Sequence, residues 1–233
     1  MYKVITHTIK EEHFTHPETA KIAMGLNPSL EQAPVNPFEV TPAIDYRDQV
    51  KNVLSRYNEI LRSYLISAIA GSEDAATLGN SLTTWAQNVC DTIFGGYLLP
   101  QNVVPVKTAM SDFTKALQDG ITAIKNKQPL TDIENKVSAA IDSLSARLAL
   151  INRANWPKQA LVDLLMSYKN ELFAQAQARV NKKWDDDLSS ADRANKIILA
   201  GPDDGTVSLA DLLSKGMILL SKGMILLYRS RFV

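Results

Sequence analysis

The chain has 233 residues, 45% of them hydrophobic, and its 25 basic and 25 acidic side chains cancel to a formal net charge of zero. Without an excess of positive charge no overall field attracts a polyanion, so no nucleic-acid partner is expected. The single cysteine, Cys90, excludes an intramolecular disulfide and any site built from several cysteines. Its apolar neighbours predict a buried structural thiol.

The first residues lack the apolar core of a signal peptide, and no stretch of about 18 residues is free of charge. We therefore expect a cytoplasmic protein without a membrane-spanning helix.

Residues 1–44 are predicted to form an extended N-terminal arm with a proline-rich connector, which either lies on the helical domain or acts as a lid. Proline fixes φ and removes a hydrogen-bond donor, so the four prolines in the last part of this arm argue against a regular helix there. All three histidines (His7, His13 and His16) fall in the arm. Glu12, His13 and His16 have a spacing that allows a metal site if the segment is helical, but a solvated polar arm is the simpler interpretation.

From Asp45 onward the apolar residues recur every three or four positions, which predicts amphipathic α-helices. Strand signals are almost absent. Five long helices are expected, then a shorter segment and a last helix, at about 45–70, 73–95, 103–126, 131–151, 157–180, 186–200 and from 208 onward. The predicted fold class is all-α: an up-and-down helical bundle of five to six amphipathic helices, formed by residues 45–233, with an extended N-terminal arm.

Several of these helix ends carry their own signals. Gly71 is expected to stop the first helix. Thr131 and Glu134 have the spacing of a capping box. Pro157 suits a helix start, where its missing donor costs nothing, and Ser208 is the predicted N-cap of the last helix.

Catalytic motifs are missing from the sequence. It contains no glycine-rich phosphate loop, no G-x-S-x-G motif and no H-E-x-x-H motif. The two main mid-helix glutamates, Glu59 and Glu171, are interpreted as solvated carboxylates. The charged run 182–192 has two interpretations, an acidic helix start favoured by the helix dipole or a cation site.

The heptad SKGMILL occurs twice in succession, at 214–220 and 221–227. Seven residues are nearly two helical turns, so the second copy returns the apolar stripe to almost the same face, with a drift of about 20°. Two heptads are fewer than a zipper needs. A tandem duplication is the preferred interpretation, and it is expected either to lengthen the last helix by about 10 Å or to produce a local bulge. Its extra apolar surface predicts self-association through the C-terminal helix.

Five short motifs follow one another from about Asp45 to the end of the chain. They are Leu65-Ile-Ser-Ala-Ile-Ala-Gly71, Asn88-Val-Cys-Asp91-Thr-Ile93, Asn155-Trp156-Pro157, Asp187-Leu-Ser-Ser-Ala-Asp192 and Ala210-Asp211-Leu-Leu-Ser214-Lys-Gly216-Met217. In this order they resemble an uncharacterised family of bacterial all-helical bundle proteins, whose members carry N-x-x-D-I-G, N-W-P, D-I-x-x-Y-D and A-D-x-L-S-x-G-I motifs.

The resemblance implies a metal or polar site inside the bundle, to which Asp91, Asp187 and Asp192 correspond. The family's histidines are not matched: their positions fall at Ile197, near Asp112 and near Tyr168. Carboxylates without histidines suit a hard divalent cation better than a transition metal, so the resemblance implies either such a site or its loss. No other cofactor is expected.

Three functions stay open on the sequence. The first is a non-enzymatic interaction or structural protein, favoured by the absence of histidine from the bundle. The second is a ligand- or cation-binding bundle, possibly an enzyme, that uses the three aspartates. The third is peripheral membrane association through the C-terminal helix, in which basic residues are interspersed among apolar ones.

Overall fold

The computed structural model describes residues 43–201 and 207–232, with side chains for residues 45–201 and 207–221. Within these ranges every regular element is helical, which confirms the all-α class. There are seven α-helices: α1 Ala43–Ala70, α2 Ala75–Phe94, α3 Pro100–Lys125, α4 Thr131–Ile151, α5 Lys158–Val180, α6 Trp184–Asn195 and α7 Leu209–Phe232. A π-helical turn, Lys196–Ala200, follows α6.

The count exceeds the five to six helices predicted, because the short segment before residue 200 forms a helix of its own. Of the predicted arm, 1–44, only the last two residues are described, and they begin α1. The rest of the arm lies outside the described residues, as do its three histidines.

One apolar core joins all seven helices, and its residues follow the predicted spacing. On α1 the buried positions recur every three or four residues, at Val50, Leu54, Tyr57, Leu61 and Leu65. The same spacing buries one stripe on α5, at Leu161, Leu165, Tyr168, Leu172 and Ala176. Burial of these stripes is the main stabilising contribution to the fold.

The helix ends agree with the sequence signals at three points and differ at one. Gly71 has a φ of +73°, a left-handed conformation that favours glycine, and it ends α1 as predicted. Pro157 immediately precedes α5. The Ser208 hydroxyl accepts a hydrogen bond from the Asp211 amide at 3.1 Å, which confirms it as the N-cap of α7.

The capping box predicted at Thr131 is wrong. α4 already begins at Thr131, and the residue in the capping position is Leu130, which offers no side-chain hydrogen bond. The Glu134 amide is satisfied instead by the Leu130 carbonyl, at 2.7 Å.

From α1 to α6, helices that are consecutive in the chain pack against each other. α7 packs against the π-helical turn that precedes it and returns to pack against α1. The first and the last helix of the described chain are therefore neighbours in the fold. Among the described residues, none of the helices combines the length and the apolar character needed to cross a bilayer.

Candidate functional site: the docking of the C-terminal helix

Trp156 is the residue on which α7 docks. Its side chain is fully buried and packs edge-to-face against Phe94, with ring centroids 5.8 Å apart. The indole Nε1 donates a hydrogen bond to the Leu212 carbonyl of α7 at 3.0 Å. A buried tryptophan needs such a partner for its only donor, so this contact fixes where α7 crosses the N-W-P segment.

Asn152 adds a second hydrogen bond to the same helix. Its Nδ2 donates to the Gly216 carbonyl at 2.7 Å, and its Oδ1 accepts from Asn155 Nδ2 at 2.9 Å. Asn152 is itself buried. Both the donor and the acceptor of its amide are thus used inside the protein, and its orientation follows from that pairing.

Gly216 is the position where α7 comes closest to Trp156. A β-carbon placed on Gly216 would overlap the indole ring at Nε1, Cε2 and Cδ1. The sequence suggests only that this glycine weakens the helix. The structure gives the reason for it, since any side chain here would push α7 away from the indole.

The first turn of α7 is held to α1 by an ion pair. Arg47 Nε lies 2.6 Å from Asp211 Oδ1, and Lys51 Nζ lies 3.7 Å from the same oxygen. Burial acts to raise the pKa of Asp211, but the hydrogen bonds from Arg47 and Ser208 and the charges of Lys51 and Arg47 outweigh it. The net result is a pKa below the usual value.

The two copies of the heptad therefore occupy different places. In the first copy, Ser214, Gly216 and Met217 are buried, and Gly216 belongs to the docking contact just described. Its last residues, Leu219 and Leu220, are partly exposed. Leu220 lies beside the first residues of α3 and the last residues of α4, and twelve more helical residues follow it. At 1.5 Å per residue those twelve add about 18 Å of helix.

A groove of about 410 Å³ lies at this end of the bundle, and we call it the end groove. It is lined by Leu98, Leu99, Gln101, Asn102, Pro105, Val106, Arg147, Leu150, Ile151 and Leu220. Leu150 is 77% exposed, and Val104, next to the lining residue Pro105, is 57% exposed. Arg147 is the one charged residue among those that line it.

The three aspartates predicted to bind a cation have different surroundings and do not share a partner. Asp91 forms an ion pair with Lys107 at 2.5 Å and is about half exposed. Asp187 is buried and pairs with Arg179 at 2.7 Å. Asp192 is exposed on α6. In the part of the chain that the structure describes, no group of three or more His, Cys, Asp or Glu residues is arranged to hold a metal ion. The cation site stays a prediction.

Asp187 belongs instead to a polar layer between α5 and α6. Its Oδ2 meets Arg179, whose guanidinium also lies over the Trp184 ring, 5.4 Å from its centroid. Asp187 Oδ1 and Gln175 Nε2 are buried without a protein hydrogen-bond partner. In the same layer the Glu171 carboxylate lies 3.0 Å from Arg193, so the interpretation of Glu171 as simply solvated is corrected, whereas Glu59 is exposed as expected.

Cys90 is buried as predicted, with 2% of its surface exposed. Burial raises the pKa of its thiol to about 12, against the opposing charge of Lys107. It faces a central cavity of about 40 Å³ with apolar walls that include Leu54, Tyr57 and Leu165. A drug-sized ligand needs roughly 300 Å³ or more, so this cavity is too small for one.

Comparison of the chain with protein-family models, with curated protein sequences and with solved structures finds no match. The suspected family membership therefore stays a prediction.

Sequence reasoning found the N-W-P segment but missed what it does. Trp156 lies in the turn between α4 and α5, whereas Gly216 lies in α7, and periodicity within a helix does not reveal that the two meet. The end groove was missed for the same reason, because it is formed by the start of α3, the end of α4 and the middle of α7, which are distant in sequence.

Proposed function

We propose that this chain is a non-enzymatic interaction protein, an up-and-down helical bundle that associates with a second copy of itself through the C-terminal part of α7. The observation that carries this proposal is the unequal placement of the two heptads. The first is fixed in the core at Gly216 and Met217, whereas twelve helical residues follow Leu220 at the ends of α3 and α4.

The sequence of those twelve residues favours an apolar contact. Met224 and Leu227 continue the three-to-four spacing of Leu213, Met217 and Leu220. A helix that presents such a stripe is stabilised when a matching surface covers it, and an identical chain supplies the same stripe in a self-complementary form.

The test is the mass of the protein in solution over a range of concentrations, measured by sedimentation equilibrium. Deletion of one heptad is an informative variant, because removing 214–220 or 221–227 leaves the same sequence with Gly216 still at its docking position. The second variant, Met224→Glu with Leu227→Lys, keeps the helix length and the net charge. Both variants are expected to be monomeric where the full chain self-associates.

The matched control is Ser221→Glu with Ser230→Lys, which changes the same helix off the apolar stripe and should still self-associate. A full chain that is monomeric at every concentration would overturn the proposal. So would association that survives both stripe variants. Flotation with anionic liposomes distinguishes the membrane alternative, which requires the full chain to bind vesicles and the stripe variant to lose binding.

A further inference from the structure

The end groove is an apolar surface that the described residues leave open. Its walls are mostly aliphatic, with Leu98, Leu150 and Leu220 among them, and Arg147 is the charged residue that lines it. A leucine that is 77% exposed at the mouth of a concave apolar site marks a surface on which another segment packs.

The chain enters α1 beside this groove. The Tyr46 hydroxyl donates to the Ile93 carbonyl at 2.8 Å, and its ring packs edge-to-face on Tyr97 at 5.3 Å between centroids. Tyr97 directly precedes Leu98 and Leu99, two residues of the groove wall. The residues immediately before Ala43 are therefore attached to the bundle within a few residues of the groove.

The composition of those residues complements the groove. The segment 34–42 reads PVNPFEVTP and combines the apolar Val35, Phe38 and Val40 with one acidic residue, Glu39. At about 3.1 Å per residue in a proline-rich extended conformation, nine residues span roughly 28 Å, which is ample for a groove that starts near Tyr97. Its three prolines restrict the free chain, so less conformational entropy is lost on docking.

We propose that residues 35–40 cover the end groove of their own chain, with Phe38 on its aliphatic walls and Glu39 opposite Arg147. The covalent link to α1 favours residues 35–40 of the same chain over a second copy of the protein as the occupant of the groove. A segment joined by a few residues has an effective concentration on the order of millimolar, far above the micromolar concentration of a separate chain. This inference shares only Leu220 with the apolar stripe proposed for self-association, and its test uses residues outside α7.

Disulfide trapping tests the proposal directly, because the native Cys90 is buried and does not compete. The trapping pair is Val40→Cys with Leu150→Cys. The control pair is Val40→Cys with Leu188→Cys, since Leu188 is an exposed leucine on α6, near the opposite end of α5 from Trp156. The trapping pair should form an intramolecular disulfide at least about tenfold faster than the control pair.

Equal rates for the two pairs would overturn the proposal. A Val40–Leu150 disulfide that joins two chains would also overturn it, because the occupant would then be a second copy.

A charge reversal gives a second readout that needs no cysteine. Glu39→Lys and Arg147→Glu should each speed hydrogen exchange around Leu98–Val106 several-fold, and the double reversal should restore the original rate to within about twofold. Phe38→Ala should have a similar effect to the single reversals, whereas the matched Phe14→Ala should not. A double reversal that adds the two single effects, or a Phe38→Ala variant that matches Phe14→Ala, would contradict the docking.

Discussion

The indole of Trp156 lies directly against the α-carbon of Gly216, and its Nε1 donates to a carbonyl one turn earlier in the same helix. This contact distinguishes two glycines that the sequence makes identical. Gly216 and Gly223 occupy the same position in the two copies of the heptad. Among the residues whose side chains are described, Gly216 is the glycine that contacts the indole.

Gly216→Ala and Gly223→Ala should therefore shift stability in opposite directions. Alanine at 216 overlaps the indole, and overpacking of this kind costs about 1–3 kcal/mol of unfolding free energy. Alanine at 223 gains helix propensity, which is worth up to about 1 kcal/mol. Urea unfolding followed by circular dichroism measures both. Equal effects for the two variants would show that the assigned register of α7 is wrong.

The buried carboxylate of Asp187 is expected to matter for folding whether or not a cation binds there. Asp187→Asn keeps the shape but leaves the Arg179 guanidinium without its ion-pair partner, so we expect a loss of roughly 2–3 kcal/mol in unfolding free energy. The neighbouring Asp186→Asn is the control, because Asp186 is exposed and its substitution should change stability by less than about 0.5 kcal/mol.

A divalent cation at Asp187 would give a different result. The unfolding midpoint of the native chain would then rise with added Mg²⁺ or Ca²⁺ and fall with a chelator, while that of Asp187→Asn would respond to neither. A midpoint that is indifferent to both treatments argues against the cation site.

The ion pair at the start of α7 predicts that the folded state is less stable at acid pH. The pKa of Asp211 is lowered below its ordinary value of 3.8, so the folded state binds this proton less readily than the unfolded state. Its contribution is fully present above that ordinary value and is lost as the pH falls through the lower folded value. Asp211→Asn should cost about 0.5–1 kcal/mol at neutral pH and almost nothing at about pH 2.

Asp48→Asn serves as the control for this measurement, since Asp48 is exposed on the same turn of α1. Urea titrations at neutral and acid pH give the comparison. A cost of Asp211→Asn that is independent of pH would mean that its carboxylate does not stabilise α7 through charge.

The buried phenols and the buried thiol predict a loss of stability at alkaline pH, whereas Asp211 predicts a loss at acid pH. Burial raises the pKa of Tyr46, Tyr57 and Tyr168 above the ordinary value of 10.0 and that of Cys90 from 9.0 to about 12. The folded state keeps protons that the unfolded state releases, so unfolding free energy falls as the pH rises above about 9. Each group contributes up to about 1.4 kcal/mol per pH unit once its unfolded form ionises.

Urea titrations from about pH 8 to pH 11 should show a loss of several kcal/mol, and tyrosinate absorbance of these buried rings should appear together with the loss of helix. Cys90→Ala should remove the earliest part of the decline. A stability that stays flat to pH 10.5, or phenols that ionise while the helices persist, would contradict the assigned burial.

The helices could be predicted from the sequence because each buries one apolar stripe. The residues of such a stripe, for example Val50, Leu54, Leu61 and Leu65, recur at the spacing of a helix turn within a short stretch of sequence. Gly71 and Ser208 were predictable for a similar reason, since their effect depends on neighbouring backbone groups. The capping box at Thr131 failed because the chain turns at Leu130 and begins the helix one residue earlier than the motif requires. Contacts between helices were beyond reach: nothing near Glu171 indicates Arg193, and nothing near Trp156 indicates Gly216.

The pairing of the first helix with the last also sets the order in which the protein assembles during synthesis. Arg47 and Asp211 are separated by 164 residues, and Leu54 of α1 shares the central cavity wall with Leu209 and Leu213 of α7. A ribosome that adds about 5–20 residues per second leaves α1 without this partner for on the order of ten seconds. During that interval the apolar residues of α1 that α7 covers in the finished bundle lack this cover, and apolar surface exposed in this way favours aggregation. The yield of folded protein should therefore depend on the rate of translation as well as on the stability of the finished bundle.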